Sequence, residues 1–171
     1  RGCLPSKNLI EAAKIFYDAK HPRYPGLAPT AMRVDFRALI AQKDAVIEDY
    51  RGKKYESITS GSKSIRVFEG AARFSGPNEV TVNGQVLSAP RFLVATGGAP
   101  TVPDIPGLRD TPYLTSDLLT SHEDIELTEL PASLIIIGGG YIALELGQMF
   151  ARFGTSVTIL ARGARILTAY E

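Results

Sequence analysis

The chain has 171 residues, of which 44% are hydrophobic and 22% charged, a composition typical of a globular protein with one domain or parts of two. Its 19 basic and 18 acidic residues give a net charge of +1, which offers no general attraction to nucleic acid or to an anionic membrane. The longest apolar runs are too short to span a bilayer. A single cysteine excludes an internal disulfide and indicates a reducing compartment, so we expect a cytoplasmic protein. The start "RGC" has neither an initiating methionine nor a signal peptide, and we expect a segment of a longer chain.

Apolar residues at helical spacing predict two helices in the first part of the chain. The first covers Ser6 to Lys20, with Pro5 in its first turn, where a missing N–H costs nothing. A loop rich in proline and glycine follows. Asp35 is a suitable N-cap for a second, amphipathic helix that we expect to reach about Ser60.

Short β segments are predicted next. Residues 64–70 and 71–76 form the first two, and residues 79–87 form a hairpin in which Asn83-Gly84 suits a type I′ turn. Residues 91–96 are an apolar run of the kind that is buried in a parallel sheet. In residues 115–125 we expect a short helix that begins near Ser116 or Asp117.

A glycine turn lies between two predicted strands near the end of the chain. A buried strand at residues 134–137 precedes Gly138, Gly140 and Ala143, which fit G-x-G-x-x-G/A, and a helix then runs to Phe153. Gly138 permits the tight turn, Gly140 lets a pyrophosphate approach the backbone, and Ala143 allows close helix packing. The N–H groups at the helix start would face the phosphates. This pattern predicts a dinucleotide site; the alternative is a strand–turn–helix unit that uses glycine only for packing.

The end of the second strand indicates which dinucleotide is bound. An NAD site usually has a carboxylate there, but this chain has Ala161, followed by Arg162 and, three residues on, Arg165. Arg162 can bind a 2′-phosphate by charge-assisted hydrogen bonds, so we predict NADP(H). The alternative is that these arginines are solvated surface residues.

Two interpretations of Cys3 are open from its own surroundings. It is a buried thiol near a chain end, or it is half of a redox centre. Its place at the start of the first helix, with Lys7 one turn further on, favours a negative charge on sulfur. The two histidines, His21 and His122, are far apart and have no ligand partners at suitable spacing, so we predict no resident metal.

Three motifs in this order, "GCLPSK", "FLVATGGAP" and "GGGYIALELG", resemble the pyridine nucleotide–disulfide oxidoreductases, the flavoenzyme family of glutathione reductase and dihydrolipoamide dehydrogenase. The resemblance implies an α/β, FAD/NAD(P)-binding two-dinucleotide-domain flavoprotein fold, present here only as an internal segment. Residues 1–117 would be part of the FAD-binding domain. Residues 118–171 would be the first βαβ unit of the NADP-binding domain.

The same resemblance implies catalytic roles. Cys3 would be the flavin-proximal sulfur of a C-x-x-x-x-C pair whose other member lies three residues before Arg1. Lys7 would stand beside the flavin and pair with Glu145. Tyr141 would cover the nicotinamide side of the flavin and move away when NADPH binds.

Further residues are implied as cofactor contacts. Gly139 and Ile142 would contact NADP. Thr96 and Gly97 would end a strand beside the FAD pyrophosphate. Contacts to FAD are also implied, less directly, for Gly70, Ala71, Ala72 and Ser116.

The resemblance also implies a reaction in which electrons pass from NADPH through FAD and the cysteine pair to an acceptor. Residues 33–58, 112–121 and 143–162 look most like the mercuric reductase branch, so the expected acceptor is Hg(II), with Cys3 as a transient ligand. The alternative is dihydrolipoamide dehydrogenase, which shares "GCLPSK" and acts on a small disulfide or dithiol. The whole enzyme is expected to be a homodimer. An alternative of another class is a non-catalytic nucleotide-binding module, and we expect this segment alone to be inactive.

Overall fold

The computed structural model describes residues 3–119 and 127–167. The chain divides into two compact units, Arg1–Asp49 with Val102–Glu171, and Tyr50–Thr101. Among the described residues, no helix is both long enough and apolar enough to cross a membrane.

Helices α1 and α2 form where the sequence predicts them. Helix α1 spans Cys3–Lys20, with Pro5 buried in its first turn. Helix α2 spans Phe36–Arg51, and the Ala38 N–H donates to Asp35 Oδ1 over 3.0 Å, which confirms the predicted N-cap. The helical backbone continues as a π-helical turn at Gly52–Glu56 and as α3 at Ser57–Gly61, so the predicted extension to about Ser60 is confirmed.

The glycine turn lies in a βαβ unit, as predicted. Strand β4 is Ser133–Ile137, α4 is Tyr141–Phe153, and β5 is Ser156–Leu160; Ile137 pairs with Leu160 in parallel register. The prediction that β4 is buried is wrong for one of its faces, since Ile135 and Ile137 are 65% and 51% exposed. Helix α4 packs on the other face of the strand pair.

The core of the first unit joins α1, α2 and α4 through aromatic side chains. The ring of Phe16 on α1 is 6.0 Å from that of Phe153 on α4. Phe36 on α2 contacts both Phe150 and Phe153, at 6.2 and 6.0 Å between ring centres. The buried core residues are Leu9, Ala13, Phe16, Phe36, Ile40, Leu119, Leu146, Met149, Phe150 and Phe153.

The second unit is an antiparallel sheet of three strands in chain order, β1 at Ala72–Gly76, β2 at Glu79–Val82 and β3 at Gln85–Ser88. Asn83 and Gly84 have φ angles of 50° and 81°, as the predicted hairpin turn requires.

Two of the predicted strands are absent. Residues 64–70 have no strand, and residues 91–96 pair with no strand in the described parts of the chain. Leu93 and Val94 are 93% and 66% exposed instead of buried. A strand needs hydrogen-bonded neighbours, and an apolar pattern alone does not supply them.

The described part of the predicted helix near Ser116 differs in type from the expectation. Ser116–Leu119 is a single 3₁₀ turn, while residues 120–126, which contain the rest of the prediction, lie outside the described residues.

Candidate active site

An ion pair joins the helix that carries the cysteine to the helix that follows the glycine turn. Lys7 Nζ donates to Glu145 Oε1 over 2.5 Å, across 138 residues of sequence. The two side chains are 52% and 38% exposed. Both helices also pack through the shared aromatic core, so the contact between their polar residues follows from how α1 and α4 meet.

Cys3 is an exposed free thiol at the first position of α1, which excludes the interpretation of a buried cysteine. Its backbone carbonyl accepts a hydrogen bond of 3.2 Å from Ser6 Oγ. Residues four apart lie on one face of a helix, so Cys3 and Lys7 share a face of α1. The thiol therefore lies on the same face of α1 as the lysine that pairs with Glu145.

Tyr141 and Glu145 share a face of α4, as Cys3 and Lys7 share a face of α1. Tyr141 begins the helix, lies four residues before Glu145, and is 54% exposed. The Lys7–Glu145 ion pair thus connects the face of α1 that carries Cys3 with the face of α4 that carries Tyr141. These are the four residues to which the resemblance gives catalytic roles.

The glycine turn has the features that a dinucleotide pyrophosphate needs. Gly138 has a φ of 126°, a value that favours glycine, and its N–H donates to Leu160 O over 2.8 Å. A Cβ atom added at Gly138 or Gly140 would meet no atom within 4 Å, so the space beside the turn is open. Gly140, at the N-cap of α4, has no side chain to satisfy the first N–H groups of the helix. These residues fit a bound phosphate group.

Helix α4 approaches the sheet closely at Gly147, a residue that the sequence reasoning missed. A Cβ atom there would lie 3.1 Å from Ile136 Cδ1 and 3.4 Å from Ile159 Cδ1. Ala143, which the glycine motif predicts to allow close packing of the helix, is half-buried. The available signal was a glycine inside a helix, which costs about 1 kcal/mol relative to alanine and therefore calls for a packing reason.

The loop after β5 folds back against the middle glycine of the turn. A Cβ atom on Gly139 would lie 3.0 Å from Ala161 Cβ and 3.4 Å from Ile166 Cγ2. The Leu167 N–H donates to Gly139 O over 2.8 Å. Arg162, between these contacts, is exposed. The sequence reasoning missed Ile166 and Leu167, because loop contacts leave no periodic pattern.

Two other residues of the first unit, Ile142 and Ser116, are predicted to contact a cofactor, and they lie in separate elements. Ile142, next to Tyr141, is 43% exposed. Ser116 is half-buried at the start of its 3₁₀ turn.

A buried lysine holds the end of that turn. Lys43 on α2 is 0% exposed, and its Nζ donates to Leu119 O over 2.7 Å and lies 2.7 Å from Asp44 Oδ1. No sequence pattern indicates this contact, because a lysine in an amphipathic helix is usually exposed.

The remaining predicted FAD contacts are in the second unit. Gly70 has a φ of 148°, and a Cβ atom there would lie 2.6 Å from Asn83 Oδ1. Asn83 Nδ2 also donates to Glu69 O over 2.7 Å, so local packing already requires glycine at this position. The other four contacts are exposed: Ala71, Ala72, Thr96 and Gly97. Thr96 and Gly97 do not end a strand, contrary to expectation, because residues 91–96 are unpaired.

Asp18, near the C-terminal end of α1, has a pKa below its ordinary value. A hydrogen bond from Lys14 Nζ, 3.0 Å from Asp18 Oδ2, lowers the pKa of Asp18. The charges of Lys14, Arg23 and Arg152 act in the same direction.

The family model described as pyridine nucleotide-disulphide oxidoreductase matches residues 1–171. The chain belongs to this family. It is 40% identical over 170 residues to a mercuric reductase from Lysinibacillus sphaericus, with 99% of this chain and 30% of the relative covered. It is 42% identical over 175 residues to a mercuric reductase from Acidithiobacillus ferrooxidans, with 97% of this chain and 30% of the relative covered.

A solved structure has the same fold over nearly the whole chain. The HOCl-induced flavoprotein disulfide reductase RclA from Escherichia coli superposes with a TM-score of 0.76 at 32% identity. The match covers 97% of this chain and 33% of RclA. The resemblance and the flavoprotein fold class are thereby confirmed. The chain spans about 30% of the length of the two curated relatives from Lysinibacillus sphaericus and Acidithiobacillus ferrooxidans.

Proposed function

We propose that the complete protein is a flavin-dependent oxidoreductase that passes electrons from NADPH through FAD and a cysteine pair to Hg(II). The observation that carries this proposal is the Lys7–Glu145 ion pair, which connects the faces that hold Cys3 and Tyr141. The relatives named mercuric reductase, at about 40% identity, support Hg(II) as the acceptor.

Cys3 is the proposed redox-active thiol of this segment. It is exposed and free, as exchange with a second cysteine and binding of a metal ion both require. FAD, when bound, supplies the route by which two electrons from NADPH reach the cysteine pair. Hg(II), a soft ion suited to thiolate ligands, accepts these two electrons and becomes elemental mercury.

Lys7, Glu145 and Tyr141 act on the cofactors rather than on the acceptor. Lys7 places a positive charge one helical turn from Cys3, and Glu145 fixes the position of its ammonium group. Tyr141, at the start of α4, would cover the nicotinamide side of the flavin when the cofactors are bound. Ile142 supports the nicotinamide ribose from the same turn of helix.

The proposed preference for NADPH depends on the residues at the end of β5. Because residue 161 is alanine, this position has no carboxylate to repel a 2′-phosphate. The exposed guanidinium of Arg162 is available to bind that phosphate. The turn at Gly138, Gly139 and Gly140 holds the pyrophosphate.

The wider organisation is proposed on the same basis. Residues 1–117 belong to an FAD-binding domain, with Ser116, Thr96, Gly97 and residues 70–72 as FAD contacts. Residues 118–171 begin an NADP-binding domain. We propose that the complete enzyme is a cytoplasmic homodimer.

A small disulfide is the second candidate acceptor. The similarity to a flavoprotein disulfide reductase, at 32% identity and a TM-score of 0.76, favours it. A lipoamide-type disulfide would accept the same two electrons and become a dithiol.

The experiment supplies NADPH to the purified, FAD-loaded complete protein with either Hg(II) or an oxidised lipoamide as the sole acceptor. NADPH oxidation and the release of elemental mercury are measured together. We expect NADPH oxidation with Hg(II) to match the mercury released. Turnover with the disulfide alone would instead select the second candidate. A protein that binds nucleotide but oxidises NADPH with neither acceptor would be the non-catalytic module. The 171-residue chain serves as the inactive control.

A further inference from the structure

The return loop, residues 161–167, leaves the end of β5 and packs against Gly139. We propose that Gly139 and Ile166 act as positioning residues for Arg162, and so set the discrimination between NADPH and NADH. This inference rests on the proposed use of NADPH. It assigns the selectivity to the anchoring of the loop as well as to the charge of the arginine.

The first anchor of the return loop is at Ala161. A Cβ atom on Gly139 would come within 3.0 Å of Ala161 Cβ, a separation that side chains rarely tolerate. The loop therefore lies as close to the glycine turn as the missing side chain allows. The Gly138 N–H, which donates to Leu160 O over 2.8 Å, fixes the residue just before the loop.

The second anchor is at the other end of the loop. A Cβ atom on Gly139 would lie 3.4 Å from Ile166 Cγ2 and 3.5 Å from Ile166 Cα, so this side chain and its backbone both rest on the glycine. The Leu167 N–H donates to Gly139 O over 2.8 Å. Leu167 has a φ of 56°, a conformation that leucine adopts only when its surroundings impose it.

Arg162 lies between these anchors, one residue after Ala161 and four before Ile166. Bidentate binding of a phosphate by a guanidinium depends on orientation as well as on charge. NADH has no 2′-phosphate, so a displaced return loop would weaken NADPH use and leave NADH use nearly unchanged. Unfolding or a general loss of activity would lower both together.

The first test compares Ile166→Ala with Ile135→Ala in the complete protein. Ile166 and Ile135 are both exposed isoleucines of the βαβ region, at 49% and 65%, but Ile135 lies on β4 away from the loop. The readout is the ratio of kcat/KM for NADPH to that for NADH. We expect Ile166→Ala to lower this ratio about tenfold, within the range caused by misplacing a functional group by up to 1 Å. Ile135→Ala should leave it unchanged, and Ile166→Val should restore most of it.

The second test uses the contact between Gly139 and Ala161. Gly139→Ala should lower the same ratio, because the new methyl group pushes Ala161 and the loop away. Adding Ala161→Gly removes the closest obstacle and should recover much of the ratio. A methyl group that blocked the cofactor directly would not be rescued by a change at residue 161, so an absence of rescue would count against the inference. Thermal unfolding of each variant shows whether it is folded.

The outcomes separate this inference from the proposed function. If Arg162→Ala lowers the ratio while Ile166→Ala and Gly139→Ala leave it unchanged, the positioning role is overturned and the use of NADPH stands. If Arg162→Ala itself leaves the ratio unchanged, the proposed phosphate contact is wrong, and the inference fails with it.

Discussion

The ammonium group of Lys7 lies 2.5 Å from a carboxylate oxygen of Glu145, although 138 residues separate them in the chain. Both side chains are partly exposed, and such pairs contribute only about 0–1 kcal/mol to stability. The packing of α1 on α4 is already supplied by the aromatic core. We therefore attribute the pair to the orientation of charges beside Cys3 and Tyr141 rather than to folding.

A double-mutant cycle tests this attribution. Lys7→Met and Glu145→Gln should each change the free energy of unfolding by less than about 1 kcal/mol, as expected for an exposed pair. Each should lower kcat of the complete enzyme by about tenfold or more, because the charge beside the reacting groups is lost or misplaced. The double variant should be little worse than either single variant, since the two residues act as one unit. Additive losses in kcat would show that they act separately.

Cys3→Ser should abolish electron transfer to the acceptor while FAD remains bound. The substitution replaces sulfur with an oxygen that does not form a disulfide, and it changes little in volume at an exposed position. The flavin absorbance of the purified complete protein measures retention of FAD, and NADPH consumption measures turnover. Ser6→Ala, one turn along α1, is a control for disturbance of the helix start. Turnover within about twofold of the parent would remove Cys3 from the redox path.

The elements that the sequence predicted well depend on local patterns. Asp35 caps α2, Asn83-Gly84 turns the hairpin, and the glycine turn follows β4, because each of these features needs only its neighbours in the chain. The prediction of a strand at residues 91–96 is wrong, because a strand must pair with a neighbouring strand and a local apolar pattern does not determine that pairing.

In the candidate site, too, the motifs predict some contacts, whereas contacts between distant segments are not predicted. The motif resemblance implies a pair between Lys7 and Glu145, and the structure contains this contact. The contact of Lys43 with Leu119 O and the packing of Ile166 on Gly139 were missed. Both depend on how distant segments meet in space, for which a single sequence holds no pattern.

Lys43→Met should destabilise the first unit without changing the cofactor preference. Methionine fills much of the same volume but leaves Leu119 O without its donor, which costs about 1–3 kcal/mol when the group is buried. Urea unfolding of the complete protein measures the loss. Lys54→Met, at an exposed lysine, is the matched control and should change stability by no more than about 0.5 kcal/mol. Equal stability of the two variants would show that the Lys43–Leu119 hydrogen bond contributes nothing net.

The loss of stability between neutral and acid pH should depend on Lys14. The hydrogen bond from Lys14 lowers the pKa of Asp18 in the folded protein below its ordinary value of 3.8. The folded state is therefore favoured above that ordinary value, and the benefit is lost as the pH falls through the lowered pKa. Lys14→Met should lower the melting temperature at neutral pH and have a smaller effect at the lowest pH. A difference that stays constant as the pH falls would contradict this assignment.

Arg162→Glu should reverse or abolish the cofactor preference. The introduced carboxylate repels a 2′-phosphate and can accept hydrogen bonds from the ribose hydroxyls of NADH. Loss of one charged hydrogen bond corresponds to about 1.5–3 kcal/mol, or roughly 10- to 150-fold in kcat/KM for NADPH. Arg165→Glu, three residues further along the same exposed loop, is the control for net charge. Steady-state kcat/KM with both cofactors gives the answer. If the two variants lose NADPH activity equally, the effect is one of general charge, whereas a loss confined to Arg162→Glu identifies the residue that binds the phosphate.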